Sequence, residues 1–323
     1  MLDSSRGVRV LRAGLSVLIS ALAVALVSGC STTGGSIGST GASSTLYYLA
    51  LGDSLSVGVQ PTKTGDSILT DSGYVNDLYA HYRAIYPTLR LIQMGCPGDT
   101  TASLVSGQGN TVAAKRYHCD RDDGSQLNAA VAFITAHRSQ VKLITVDIGT
   151  NDVDDCLTGA VVIRGLAATT ACIDQGARSI RANAPKLVDT LKTAVAPGTA
   201  LVAGTIYDSF LAARLATGAQ DGTVATRVAD ASPALIGQVN AEIEAADAGA
   251  GFKTANVAGA FDTDVTTAIR SRTLGGSYPE DVVALCENTW ACAKAPRGPN
   301  IHPDTAGYRT IAQAYERALG ATL

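Results

Sequence analysis

Four short motifs in this chain carry the groups that acyl-transfer chemistry needs. Gly52-Asp53-Ser54-Leu55 follows the apolar run Leu46 to Leu51, and Gly95-Cys96-Pro97-Gly98-Asp99-Thr100-Thr101 follows Leu89 to Met94. Gly149-Thr150-Asn151-Asp152 follows Val141 to Ile148, and Asn300-Ile301-His302-Pro303 precedes the last periodic segment. Together they offer a hydroxyl, a glycine N–H, a side-chain amide and an imidazole: a nucleophile, oxyanion donors and a base. Each alone has a bland reading. Asp53-Ser54 and Asn151-Asp152 are good helix caps, Gly98 suits a turn, and a lone histidine before Pro303 can be structural. All four standing at strand ends or element boundaries is the informative observation.

The elements that must position them can be read from punctuation and period. Leu46–Leu51, Leu89–Met94, Val141–Ile148, Ala200–Ile206 and, more weakly, Phe252–Val257 read as buried strands. Tyr74–Tyr86, Leu127–His137, Ile173–Val195, Pro233–Ala248 and Pro303–Leu319 read as helices. Pro185 should split or kink the third of these, and Ser232-Pro233 should start the fourth as N-cap and first residue. Such alternation predicts an α/β fold with a parallel sheet of about five strands and helices on both faces. Sites in such sheets gather at the C-terminal strand ends. Three long irregular stretches, 97–124, 207–229 and 262–300, are expected to shape a site.

Composition narrows the function. The chain has 323 residues, 25 Lys+Arg against 28 Asp+Glu, a net charge of -3, 46% hydrophobic and 16% charged residues. No strong field exists to attract nucleic acid, and the content is that of a folded protein. The four histidines are scattered, and neither a CxxC pair nor HExxH occurs, so no metal site is expected. No P-loop or dinucleotide glycine pattern follows a strand, and Ser56 stands where the second glycine of G-x-S-x-G would be. A serine mechanism of this kind needs no cofactor.

The N-terminus reads as an address. Arg6, Arg9 and Arg12 precede an uncharged run from Ala13 to Val27, too short to span a bilayer and suited to a signal peptide. It ends in Val27-Ser28-Gly29-Cys30, the pattern of a bacterial lipobox, so Cys30 is expected to carry the lipid. Residues 1–29 are thus a lipoprotein signal, 30–45 a Ser/Thr/Gly-rich tether and 46–323 one catalytic domain facing outward from the cell membrane. Removing Cys30 from the seven cysteines leaves six in an oxidising compartment. Loop closure favours neighbours, giving Cys96–Cys119, Cys156–Cys172 and Cys286–Cys292.

The motifs Gly52-Asp53-Ser54-Leu55, Gly98, Gly149-x-Asn151-Asp152 and His302-Pro303 resemble the four blocks of the GDSL, or SGNH, hydrolases. The resemblance runs from about Leu46 to Leu323. The six cysteines and long loops look most like the secreted actinobacterial lipases and esterases. It implies a flavodoxin-like three-layer α/β/α sandwich and hydrolysis of carboxylic esters through an acyl-enzyme. Carried over by position, Ser54 is the nucleophile and His302 the base. The Ser54 N–H, the Gly98 N–H and the Asn151 amide form the oxyanion hole. Gly95 competes with Gly98, but Gly98-Asp99-Thr100-Thr101 fits the family's Gly-x-Thr-Thr better.

One departure stands out. The family places an aspartate three residues before the histidine, where this chain has Pro299. Some secreted members orient the ring with a carbonyl instead, so the backbone carbonyl of Pro299 or Asn300 is expected to do so here, giving a Ser–His dyad. Asp304, on the other side of His302, is expected to cap the last helix. The rate should fall in acid as His302 becomes charged. The reading is a monomeric, lipid-anchored serine esterase or lipase. A carbohydrate O-deacetylase and a non-catalytic surface binding module are the alternatives.

Overall fold

The computed structural model describes residues 44–323 apart from 110, 120–123, 159–160, 162 and 216–222. The signal segment, Cys30 and the tether up to residue 43 lie outside the described residues. No helix among the described residues is long and apolar enough to cross a membrane.

The strands in chain order are β1 (Leu46–Gly52), β2 (Gln60–Pro61), β3 (Ser67–Ile68), β4 (Leu89–Gln93), β5 (Val141–Asp147), β6 (Ala200–Gly204), β7 (Lys253–Ala255), β8 (Ala268–Ser271) and β9 (Gly276–Pro279). Five of them form one parallel sheet in the order β4-β1-β5-β6-β7. The apolar runs of β1 and β5 are buried because helices cover both faces of the sheet. One face packs on helices Gln126–Ala136, Leu166–Ala194 and Val224–Ala250 through Leu49, Leu51, Ile144, Ile180, Leu187 and Ile243. The other packs on helices Tyr74–Ile85, Glu280–Asn288 and Thr305–Leu319 through Tyr48, Leu78, Leu143, Val202, Leu285 and Ile311. Each such aliphatic side chain contributes about 1.5–3 kcal/mol by leaving water.

Chain order and spatial order diverge at β1. It leads to β4 on one side, after which the chain returns to β5 on the other. That divergence opens a crevice above the C-terminal ends of β1 and β5, where ligands bind in open α/β sheets.

Two helices are longer than the prolines suggested. Leu166–Ala194 runs unbroken through Pro185, and Val224–Ala250 starts at the N-cap Thr223, nine residues before Ser232. Ser232 is therefore not a cap. It is buried inside the helix, where its hydroxyl donates to the carbonyl of Ala229 at 3.1 Å. That carbonyl is the one an ordinary residue at 233 would have bonded through its N–H. The Ser232 hydroxyl also approaches the Asp208 carboxyl, so its single proton is placed between that carboxyl and the Ala229 carbonyl. Pro185 leaves the carbonyl of Arg181 without its helical N–H on an exposed turn.

The irregular stretches also hold more structure than period alone revealed. Thr101–Ser106 and Thr111–Tyr117 are short helices within 97–124, and Ser209–Leu215 is a 3-10 turn within 207–229. The hairpin β8–β9 and the helix Glu280–Asn288 occupy much of 262–300. The weak fifth strand shrinks to the three residues of β7.

Candidate active site

Ser54 sits in a tight turn directly after β1. Gly52 makes the turn possible. Its φ is +140, and a Cβ there would meet the Asp147 carbonyl at 2.1 Å. The side chain of Gln126 clamps the Gly52 backbone on both sides, accepting its N–H at 2.7 Å and donating to its carbonyl at 2.9 Å. The Asp53 carboxylate accepts the Leu55 N–H at 2.9 Å, and the Val59 N–H returns to the Ser54 carbonyl at 3.0 Å. These bonds hold the Ser54 backbone while leaving its own N–H without a partner among the described residues.

Helix Thr305–Leu319 and the loop before it bring His302 to this turn across 248 residues of sequence. Its Nε2 lies 2.9 Å from Ser54 Oγ. The loop is pinned from behind: Trp290 N–H donates to the His302 carbonyl at 3.0 Å, and Asn300 N–H donates to the Trp290 carbonyl at 3.1 Å. The Cys286–Cys292 disulfide closes the segment that carries Trp290. Asp304 caps the helix, accepting the N–H groups of Ala306 and Gly307.

The carbonyl facing His302 Nδ1 belongs to the Asn300 side chain, at 2.8 Å, and not to the backbone of Pro299 or Asn300. The same Oδ1 accepts the His302 backbone N–H at 3.0 Å. An N–H can only donate, so this bond identifies the Asn300 atom as oxygen. An oxygen there places the ring proton on Nδ1 and leaves Nε2 free to accept from Ser54. Burial with no carboxylate beside it lowers the His302 pKa from its ordinary 6.5 to about 4.

Asn151 follows the left-handed Gly149 (φ +123) at the end of β5. Its Nδ2 donates to Asp53 Oδ2 at 3.1 Å and to the Asp99 carbonyl at 2.9 Å. The amide is thereby fixed between the first and second motifs. Gly98 is exposed, has φ +83, and its N–H has no partner among the described residues. Gly95 is instead buried beneath the nucleophile turn, where a Cβ would meet Ser56 Oγ at 1.9 Å. Asp152 ties the Gly98 loop down. It accepts the Thr101 N–H and hydroxyl at 2.8 and 2.7 Å, and the Ser179 hydroxyl at 2.7 Å.

Sequence reasoning missed three parts of this frame. Gln126 and Asp99 are joined at 2.9 Å beneath the turn, and nothing in a helix start or a loop aspartate signals that partnership. Asp154 lines the hollow of about 120 Å³ that holds Ser54, Asn151, Tyr207 and His302. The third is the Asn300 side chain, whose visible signal was an amide two residues before the histidine. The three cysteine pairs are Cys96–Cys119, Cys156–Cys172 and Cys286–Cys292. Among the described residues no cluster of three or more His, Cys, Asp or Glu side chains is arranged to hold a metal.

Below the site lie two buried carboxyls, Asp53 and Asp147. Burial, and then the neighbouring Asp147, push the Asp53 carboxyl well above its usual range. Burial pushes Asp147 up to about 7. Asp53 accepts an N–H on each oxygen.

A parallel sheet with this strand order carries a serine and a histidine in contact above the ends of its strands. Residues 50–310 match the GDSL-like lipase/acylhydrolase family, and the chain belongs to it. It is an ester-hydrolysing enzyme. Among solved structures, the extracellular lipase from Streptomyces rimosus is similar in fold, with 19% identity over 84% of this chain and 99% of that one and a TM-score of 0.53. Phospholipase A1 from Streptomyces albidoflavus NA297 is similar over 85% and 100%, with 18% identity and a TM-score of 0.51. No curated protein matched the chain.

Proposed function

We propose that the protein is an exported, lipid-anchored esterase in which Ser54 and His302 form a catalytic dyad. The observation that carries this reading is the 2.9 Å contact between Ser54 Oγ and His302 Nε2. Ser54 attacks the ester carbonyl as His302 takes its proton. The tetrahedral oxyanion is met by the N–H groups of Ser54 and Gly98 and by the Asn151 amide, which turns to it one of the two N–H groups otherwise given to Asp53 and the Asp99 carbonyl. Collapse expels the alcohol, protonated by His302, and leaves an acyl-enzyme. His302 then activates water to release the acid. Asn300 orients the imidazole through its neutral carbonyl and supplies no countercharge to the imidazolium.

The size of the hollow favours short acyl groups. A hollow of about 120 Å³, lined by Ser54, Asn151, Asp154 and His302 and also by Leu55, Tyr207 and Ile301, holds one small group. This supports acetyl or similarly short esters, including those of carbohydrates. Three disulfides and the signal-like N-terminus support export, and Val27-Ser28-Gly29-Cys30 supports the anchor.

The test is an ester series from acetyl to palmitoyl as p-nitrophenyl esters, with the full oxidised chain in detergent and Ser54→Ala beside it. The parent should cleave the short esters and the variant none. Equal rates in both would remove Ser54 from the mechanism.

A further inference from the structure

One carboxylate in the catalytic hollow has no part in the chemistry described above. Asp154 opens the 3-10 turn Asp154–Leu157 that follows Asn151, and it lines the same hollow as Ser54 and His302. It is not a third member of the dyad. His302 Nδ1 is taken by Asn300 and Nε2 by Ser54, and no carboxylate raises the pKa of the ring.

The side chain of Asp154 has no hydrogen bond or ion pair among the described residues. The ion pairs there join His81 to Glu316, Arg181 to Glu242 and Arg214 to Asp230, all on other elements. Burial, and then Asp155 beside it, push its carboxyl up to about 6, so nothing nearby neutralises it. The Cys156–Cys172 disulfide anchors the turn to helix Leu166–Ala194 and holds the carboxylate in place. A half-buried carboxylate without a partner is costly, and a countercharge brought by a ligand recovers most in such a place.

We propose that Asp154 is a specificity-determining residue that favours esters carrying a cationic group close to the scissile carbonyl. The proposal rests on the esterase reading and names its substrate class: short esters in which an ammonium-type centre lies within a few atoms of the reacting carbon. The hollow has room for one such group. Tyr207 offers its ring rather than a competing donor, since its hydroxyl is bound to the Ile301 carbonyl at 2.6 Å.

The test compares isosteric esters that differ only in charge. On the alcohol side, 2-(trimethylammonio)ethyl acetate is set against 3,3-dimethylbutyl acetate. On the acyl side, p-nitrophenyl 4-(trimethylammonio)butyrate is set against p-nitrophenyl 5,5-dimethylhexanoate. The cation-to-neutral ratio of kcat/KM is measured for the parent, Asp154→Asn and Asp155→Asn at physiological ionic strength, which screens distant charges. In at least one pair the parent's ratio should fall about tenfold in Asp154→Asn, as loss of one nearby charge at intermediate dielectric requires. It should hold in Asp155→Asn, which removes the same charge from an exposed neighbour. Ratios that stay within twofold in both pairs overturn the proposal, as does an equal fall in both variants. If Asp154→Asn does not fold, competition in the parent decides. Tetramethylammonium must then inhibit neutral-ester hydrolysis more strongly than tert-butanol, and equal inhibition overturns the proposal. A parent that cleaves none of the four esters sinks the esterase reading itself, and this inference with it.

Discussion

His302 Nδ1 and Asn300 Oδ1 lie 2.8 Å apart, so the ring of the base is held by a neutral amide where a carboxylate would carry charge. The two residues are linked twice, because the same oxygen accepts the His302 backbone N–H. The ring is therefore oriented as firmly as in a triad, while its cation gains far less.

The acid limb of the rate should reflect this. His302 titrates near 4, pushed down by burial, so it stays neutral and basic through pH 5. The sequence alone led to an expected loss in ordinary acid, and burial of the ring moves that loss lower. A pH–kcat/KM profile on a neutral ester should stay level from pH 7 to 5 and drop near 4. Asn300→Asp should raise the apparent pKa by about a unit or more, as a carboxylate beside an imidazole does. A limb at 6.5 in the parent would show that the base is not held as described.

Asn151→Ala should slow turnover by roughly 10²–10³, the usual loss for one oxyanion donor. KM should change little. Removal of the amide also leaves Asp53 Oδ2 and the Asp99 carbonyl short of a donor, so the rate is compared at a temperature where circular dichroism shows the fold retained. Unchanged kcat would take Asn151 out of the oxyanion hole.

Stability should rise as pH falls from 8 towards 5. Burial raises Asp147, Asp208 and Asp247 to about 7 in the folded protein, against the ordinary 3.8. Between those values the folded state binds protons that the unfolded chain releases, so unfolding free energy falls as pH rises. His302 works the other way between 6.5 and 4, because there the unfolded chain binds the extra proton. Three carboxyls outweigh one imidazole. Tm by calorimetry should be higher at pH 5.5 than at pH 8, and the reverse order would contradict these assignments.

Cys286→Ser with Cys292→Ser should cost more activity than stability. The bridge spans only 6 residues, so cutting it frees little chain entropy, on the order of 2 kcal/mol. Yet the segment it closes carries the backbone bonds behind His302 and Asn300. Activity should drop severalfold at a temperature where circular dichroism shows the fold retained. Full activity in the double variant would mean that the loop holds its shape unaided.

Much of the site was legible because glycines mark strand ends. Gly52 and Gly149 punctuate apolar runs, and the groups after them fall on one rim of the sheet. The choice of carbonyl at His302 was not legible, since it depends on how the Asn300 side chain turns. Helix ends were misread at Pro185 and Pro233 because tertiary packing outweighed the local penalty of proline. Gln126 and Asp154 escaped notice for a different reason. Their meaning comes from neighbours 74 residues away in one case and from the shape of a hollow in the other.

The three disulfides fall where three arms of the site begin. Cys96 is two residues before Gly98, Cys156 five after Asn151, and the Cys286–Cys292 bridge backs His302. A thiol-rich cytosol keeps such bonds open. Reduction should therefore loosen all three arms at once, so that activity is expected to depend on an oxidising environment more steeply than the fold does.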